Sequence, residues 1–147
     1  MRELEELASE MVKCQGKANR ELALKKHLKR VKDVEGLREL ANKYTPHVEV
    51  SIPINERILE LNPDDVDAIV ALGFLFWLDG EDSKAGGQVK RARKINAGHV
   101  GMLTLEAALT KNRNTKVRLY KRVLEVDLGN QVARENLKEL GVSGNSI

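Results

Sequence analysis

The sequence predicts an all-α superhelix of about four helix pairs, closed by a C-terminal capping helix. Three observations predict it. Apolar residues recur at three- and four-residue spacing through nearly all of the 147 residues, the period of a helix with one buried face. The breakers between those runs are only two to five residues long, the length expected between neighbouring helices. And one phrase returns: Ile58-Leu59-Glu60-Leu61-Asn62-Pro63 is echoed by Ala92-Arg93-Lys94-Ile95-Asn96-Ala97 and again by Val123-Leu124-Glu125-Val126-Asp127-Leu128. From Leu61 to Ile95 is 34 residues, and from Ile95 to Val126 is 31.

Taken in order, the periodic runs give nine helices. The first, 3–14, rests on Leu4, Leu7, Ala8 and Met11, and stops at Gln15-Gly16. The second spans 18–31. The third, 34–44, is set by Leu37, Leu40, Ala41 and Tyr44 and is ended by Thr45-Pro46. For the fourth, 52–61, Ser51 is the expected cap and Pro53 an early-turn proline. Asn62-Pro63-Asp64 separates it from the fifth, 66–78, whose apolar run leaves no clear polar face and predicts burial on all sides. Asp79-Gly80, Ala97-Gly98, Asn112-Arg113-Asn114 and Leu128-Gly129 then delimit helices at 83–95, 100–111, 115–126 and 131–139, with Gly141 as the final stop.

A 34-residue helix–turn–helix period, with small residues where two backbones must approach, is the pattern of tetratricopeptide repeats. Residues 66–99 carry Ile69, Leu72, Gly73, Phe76, Ala85, Val89 and Ala97 at the motif positions. Of these Leu72, Gly73 and Ala85 match outright, and Pro63 matches the proline that closes the preceding unit. The chain therefore resembles a tetratricopeptide-repeat (TPR) protein. The resemblance implies a single repeat domain over 1–141, with 142–147 as a flexible tail, and gives Leu72, Gly73, Ala85, Ala92 and Pro63 structural roles. The copy at 100–130 is three residues short; it has Ala107 in place of Gly73 and Lys116 in place of Ala85. Residues 1–53 fit the period but not the motif, as a diverged repeat or an N-terminal cap. An ordinary helical bundle is the alternative, in which the 34-residue echo is coincidence.

Composition narrows the function classes. Charged residues make up 32% of the chain and aromatic residues 3%, against roughly 25% charged in an ordinary domain. The single cysteine, Cys14, excludes an internal disulfide framework and a multi-cysteine zinc site; next to a turn, it reads as a small semi-buried residue. The longest apolar run, Ile69 to Leu78, has ten residues, where a membrane span needs about 20. The acidic start MRELEELASEM is unlike a signal peptide, so a cytoplasmic location and no membrane partner are expected. His27, His47 and His99 lack metal-ligand spacing. There is no nucleophile elbow and no phosphate-cradling loop. No catalytic residue, metal or cofactor is expected.

What remains is binding. The resemblance implies that the first helix of each pair lines a concave groove, which places Val70, Phe74 and Trp77 as an apolar anchor site for a peptide or helix of another protein. Burial inside the array is the competing reading of the same residues. A subgroup of the family binds acidic C-terminal peptides with Lys and Asn at set positions; in the clear repeat those places are Val70 and Phe74, so that clamp is not expected. Gly86-Gly87 reads either as a volume swap against Phe74, Phe76 and Trp77, as a surface for a ligand's backbone, or as a frayed helix start.

A net charge of +3 conceals blocks: eight bases and one acid over Lys13–Lys32, nine acids and one base over Glu49–Asp82, eleven bases and one acid over Ser83–Arg122. In the repeat register Lys90 and Arg91 correspond to Lys121 and Arg122. With Lys94 and Arg118 they are expected to form a basic stripe on the outer face. The expected function is thus a non-catalytic adaptor, co-chaperone or assembly scaffold. The alternatives are nucleic-acid or acidic-partner binding through that stripe, and electrostatic self-assembly into a homo-oligomer. Nucleic acid is the weaker of these, because Tyr120 is the one aromatic on the basic helices.

Overall fold

The structure, a computed structural model, describes residues 1–13 and 18–142; Cys14, the break at Gln15-Gly16 and all of the expected tail beyond Val142 lie outside them. Among the described residues there are nine α-helices and no strand: α1 (Arg2–Lys13), α2 (Ala18–Leu28), α3 (Val34–Lys43), α4 (Val48–Leu61), α5 (Val66–Leu78), α6 (Asp82–Ile95), α7 (Val100–Leu109), α8 (Arg113–Val126) and α9 (Gln131–Glu139). They pack as the pairs α1–α2, α3–α4, α5–α6 and α7–α8, with α9 closing against α8.

The same cap recurs at the starts of α3, α5, α7 and the closing helix α9. Asp33, Asp65, His99 and Asn130 each accept the amide three residues on, from Gly36, Ala68, Met102 and Ala133. This satisfies a donor that the helix leaves unpaired. The turns leading in are copies too. Asn62, Asn96 and Asp127 end the second helices with φ/ψ near −143/81°, −148/95° and −135/87°. Their carbonyls accept the amides of Asp65, His99 and Asn130 in turn. The repeat is thus a repeat of hydrogen bonds as well as of letters.

At the far ends of α5 and α9, Gly80 (φ 77°) and Gly141 (φ 81°) take the left-handed conformation. There the amides of Glu81 and Val142 return to Phe76 and Leu137, closing the last turn.

Stacking buries what one pair alone leaves wet. Ile69, Ala85, Ala92, Leu105 and Ala107 are fully covered, and a Cβ placed on Gly73 would stand 2.6 Å from Leu105 Cδ2, 3.2 Å from Gln88 Cβ and 3.8 Å from the Ala85 carbonyl. Gly73 therefore marks where α5 meets both α6 and α7. The N-terminal pair departs from the pattern by docking on α4. Arg57 of α4 donates to the carbonyls of Val31 (3.1 Å) and Lys29 (3.1 Å), fixing the α2–α3 connection.

Expected boundaries are corrected at three helices. Helix α2 ends at Leu28 rather than at 31, and α8 starts at Arg113, inside the expected Asn112-Arg113-Asn114 break. Helix α4 starts four residues early, at Val48, with His47 at its cap position and no side-chain bond there. Ser51 is not a cap; it is fully buried inside the helix. Its hydroxyl lies 2.5 Å from the Tyr44 carbonyl and 3.1 Å from that of Ala41, so it satisfies carbonyls at the end of α3. Pro53 sits in the helix interior rather than its first turn.

Candidate functional site

Two surfaces present the residues singled out by sequence. The first is on α5. Trp77 is 39% exposed and Leu78 57%. Phe74, half-buried, meets Trp77 edge-to-face with centroids 6.4 Å apart. Val70 does not join them: it is buried, with its Cγ1 3.0 Å from the position a Cβ would take on Gly101 at the start of α7. The sequence placed these three together; in the structure Phe74 and Trp77 are in contact and Val70 is apart from them.

Counting from the caps, Asp33 and Asp65, puts Arg38 and Asn42 of α3 in the register of Val70 and Phe74. Reading the clear repeat alone did not reach this pair. Arg38 is held by Asp65, with its Nη2 2.5 Å from Oδ2 and its Nη1 3.4 Å from Oδ1. Burial pushes the Asp65 carboxyl up, but the Arg38 bond and the Ala68 amide outweigh it and hold the group below the usual aspartate range. The hydrogen bond to Asp65, in turn, raises the Arg38 guanidinium against its own burial.

The glycine pair of α6 is not a volume swap. A Cβ on Gly86 or Gly87 would find nothing within 4 Å, so neither glycine makes room for an aromatic ring. Phe76 lies instead in a cleft with Leu59, Leu72 and Gln88, with Lys84 Nζ 5.5 Å from its ring centre. Since glycine in a helix interior is about 1 kcal/mol less favourable than alanine, Gly86→Ala and Gly87→Ala should each stabilise the chain by roughly that amount. Urea midpoints of the two variants check this.

The second surface is basic, and the structure divides the expected stripe. Arg91 donates to the Pro63 carbonyl at 2.8 Å and lines the cleft beside Glu56 and Glu60. Lys90 and Lys94 are exposed on α6, while Lys121 is half-buried. Arg118 and Arg122 share a cleft between α6, α7 and α8 with Arg93, a residue the repeat register alone did not select. Arg93 is ion-paired with Glu106. Tyr120 is buried and offers no stacking face; burial and then the Glu139 carboxylate push its phenol up.

The histidines have structural partners. His99 caps α7 through Nδ1 and places Nε2 2.8 Å from Asp67; His27 faces Glu3 at 3.7 Å; His47 stands edge-on to Tyr44. Among the described residues no group of three His, Cys, Asp or Glu is placed to hold a metal ion, and no helix is long and apolar enough to cross a membrane.

No family model matches the chain, and no curated protein matches it significantly. Solved structures do. The first TPR of Spaghetti (RPAP3) bound to HSP90 peptide SRMEEVD superposes with a TM-score of 0.64 at 17% identity, covering 74% of this chain and 90% of that one. The first TPR domain of the human RPAP3 protein, an NMR structure, gives 0.66 at 17% identity, covering 74% and 89%. With the recurring caps, turns and Gly73 contact, these likenesses establish that the chain has a TPR-like helical-repeat fold.

Proposed function

We propose that the chain is a non-catalytic protein-interaction module that holds a peptide or helix of a partner protein against α5. The observation that carries this reading is the exposure of Trp77 beside Phe74. A large aromatic pair left open on an otherwise charged chain is the composition of an interface anchor. Arg38 and Asn42 hold the matching register places on α3, with Arg38 bound to Asp65 at the start of α5. The RPAP3 repeat bound to an HSP90 peptide supports the reading as an instance of this fold holding a peptide.

Trp77 is the sole tryptophan and thus an internal reporter. Peptides selected from a random phage library on the intact chain should blue-shift its emission on titration. Phe74→Ala, which keeps that reporter, should weaken them by about 2 kcal/mol, roughly thirtyfold, with the thermal midpoint within a few degrees of wild type. Selected peptides that bind Phe74→Ala and Trp77→Ala as tightly as wild type, or variants that unfold outright, would return both side chains to the core.

A further inference from the structure

Two clefts flank α6 in the same repeat register but differ in chemistry. Around the first, of 370 Å³, stand Leu59, Leu72, Gln88 and Arg91. Around the second, of 490 Å³, the equivalent places hold Arg93, Glu106, Leu119 and Arg122, and Arg118 takes the place of Gly87. At the Leu59 and Leu72 positions, then, two apolar residues have become an ion pair, Arg93–Glu106, with side chains 45% and 29% exposed. An exposed ion pair contributes little to stability, less than burying two leucines. The exchange weakens the junction and widens it, while adding charge around its mouth.

The arginines are also released from the role their counterparts have. Arg57 and Arg91, in the register of Arg122, donate to backbone carbonyls of the turn behind them. Among the described residues neither Arg118 nor Arg122 has a side-chain hydrogen bond or ion pair. They are exposed and one helical turn apart on α8, so two guanidinium forks face solvent above an apolar floor of Ala97, Leu103 and Leu119.

We propose that this cleft between α6, α7 and α8 binds the side-chain carboxylates of an acidic peptide segment of a partner protein, at a site separate from Phe74 and Trp77. Each free guanidinium takes one carboxylate through two parallel hydrogen bonds, and the methylenes of the glutamates lie on the apolar floor. A nucleic-acid strand fits less well, because Tyr120 is buried and, among the described residues, the cleft has no aromatic face on which a base could stack.

Fluorescence anisotropy of fluorescein-labelled hexaglutamate with the full chain tests it. Saturable binding that weakens with salt is expected. Arg118→Ala with Arg122→Ala should lose at least tenfold, with helicity unchanged by circular dichroism. Lys90→Ala with Lys94→Ala removes the same charge outside the cleft and should change little. Glu106→Gln removes the acid inside it and should tighten binding. The proposal falls if hexaglutamate does not bind, if the two double variants behave alike, or if hexathymidylate binds as tightly. It falls also if the chain sediments as a dimer that the arginine variant dissolves, for then a second copy fills the cleft.

Discussion

Gly73→Val should lower the stability of the chain by about 3 kcal/mol, at the upper end of what overpacking a core position does. The Cβ alone meets Leu105 Cδ2 at 2.6 Å and Gln88 Cβ at 3.2 Å, and the two added methyls have no free side to turn to. Leu105 is fully buried, so its methyl group moves only by displacing the packing between α5 and α7. The gain in helix propensity over glycine is a fraction of a kcal/mol and does not offset this. In thermal unfolding the loss should appear as a drop of roughly 6–12 °C. The cycle with Leu105→Ala is the sharper test. That change alone should cost about 2–5 kcal/mol, yet the double variant should lose clearly less than the two losses combined, because the cavity accepts the valine. Strict additivity would mean that Gly73 is not the point where successive repeats touch. At Gly86 and Gly87 the same residue type gives the opposite sign, since space there is open.

That contrast shows how far the sequence was legible. Period and breakers placed all nine described helices, because a buried face and a turn both write themselves locally. Gly73 was legible because its neighbours lie at fixed repeat offsets. Whether Gly86 has a neighbour depends instead on how the helix is rotated, which a glycine without a side chain does little to reveal. Ser51 misled for a related reason: a hydroxyl that bonds backbone carbonyls serves a helix start or the end of a neighbouring helix equally well. The burial of Val70 depends on Gly101, in the next repeat, and Arg93 enters the basic cleft only through Glu106 of α7. Both are contacts between units, and the 34- and 31-residue spacings do not show which side chains such contacts join.

Asp65→Ala should remove about 2 kcal/mol, and its dependence on pH identifies the cause. The carboxylate does two things at once: it caps α5 through the Ala68 amide at 3.0 Å and it holds Arg38. Losing a cap alone costs about 1 kcal/mol, and the Arg38 guanidinium, with its side chain 31% exposed, then loses its close partner and keeps the exposed Glu35 at 4.0 Å. Asp65→Asn keeps the capping oxygen and loses only the charge, so it should lose about half as much. Because the folded protein holds this carboxyl below its ordinary range, its contribution is fully present above the unfolded value and is lost as pH falls through the folded one. The stability gap between wild type and Asp65→Asn should therefore be constant near neutrality and shrink below roughly pH 4. Urea unfolding from pH 7 to pH 2.5 measures it. A gap unchanged across that range would separate the Arg38–Asp65 contact from any role in holding α3 against the start of α5, leaving Asp65 as a helix cap alone.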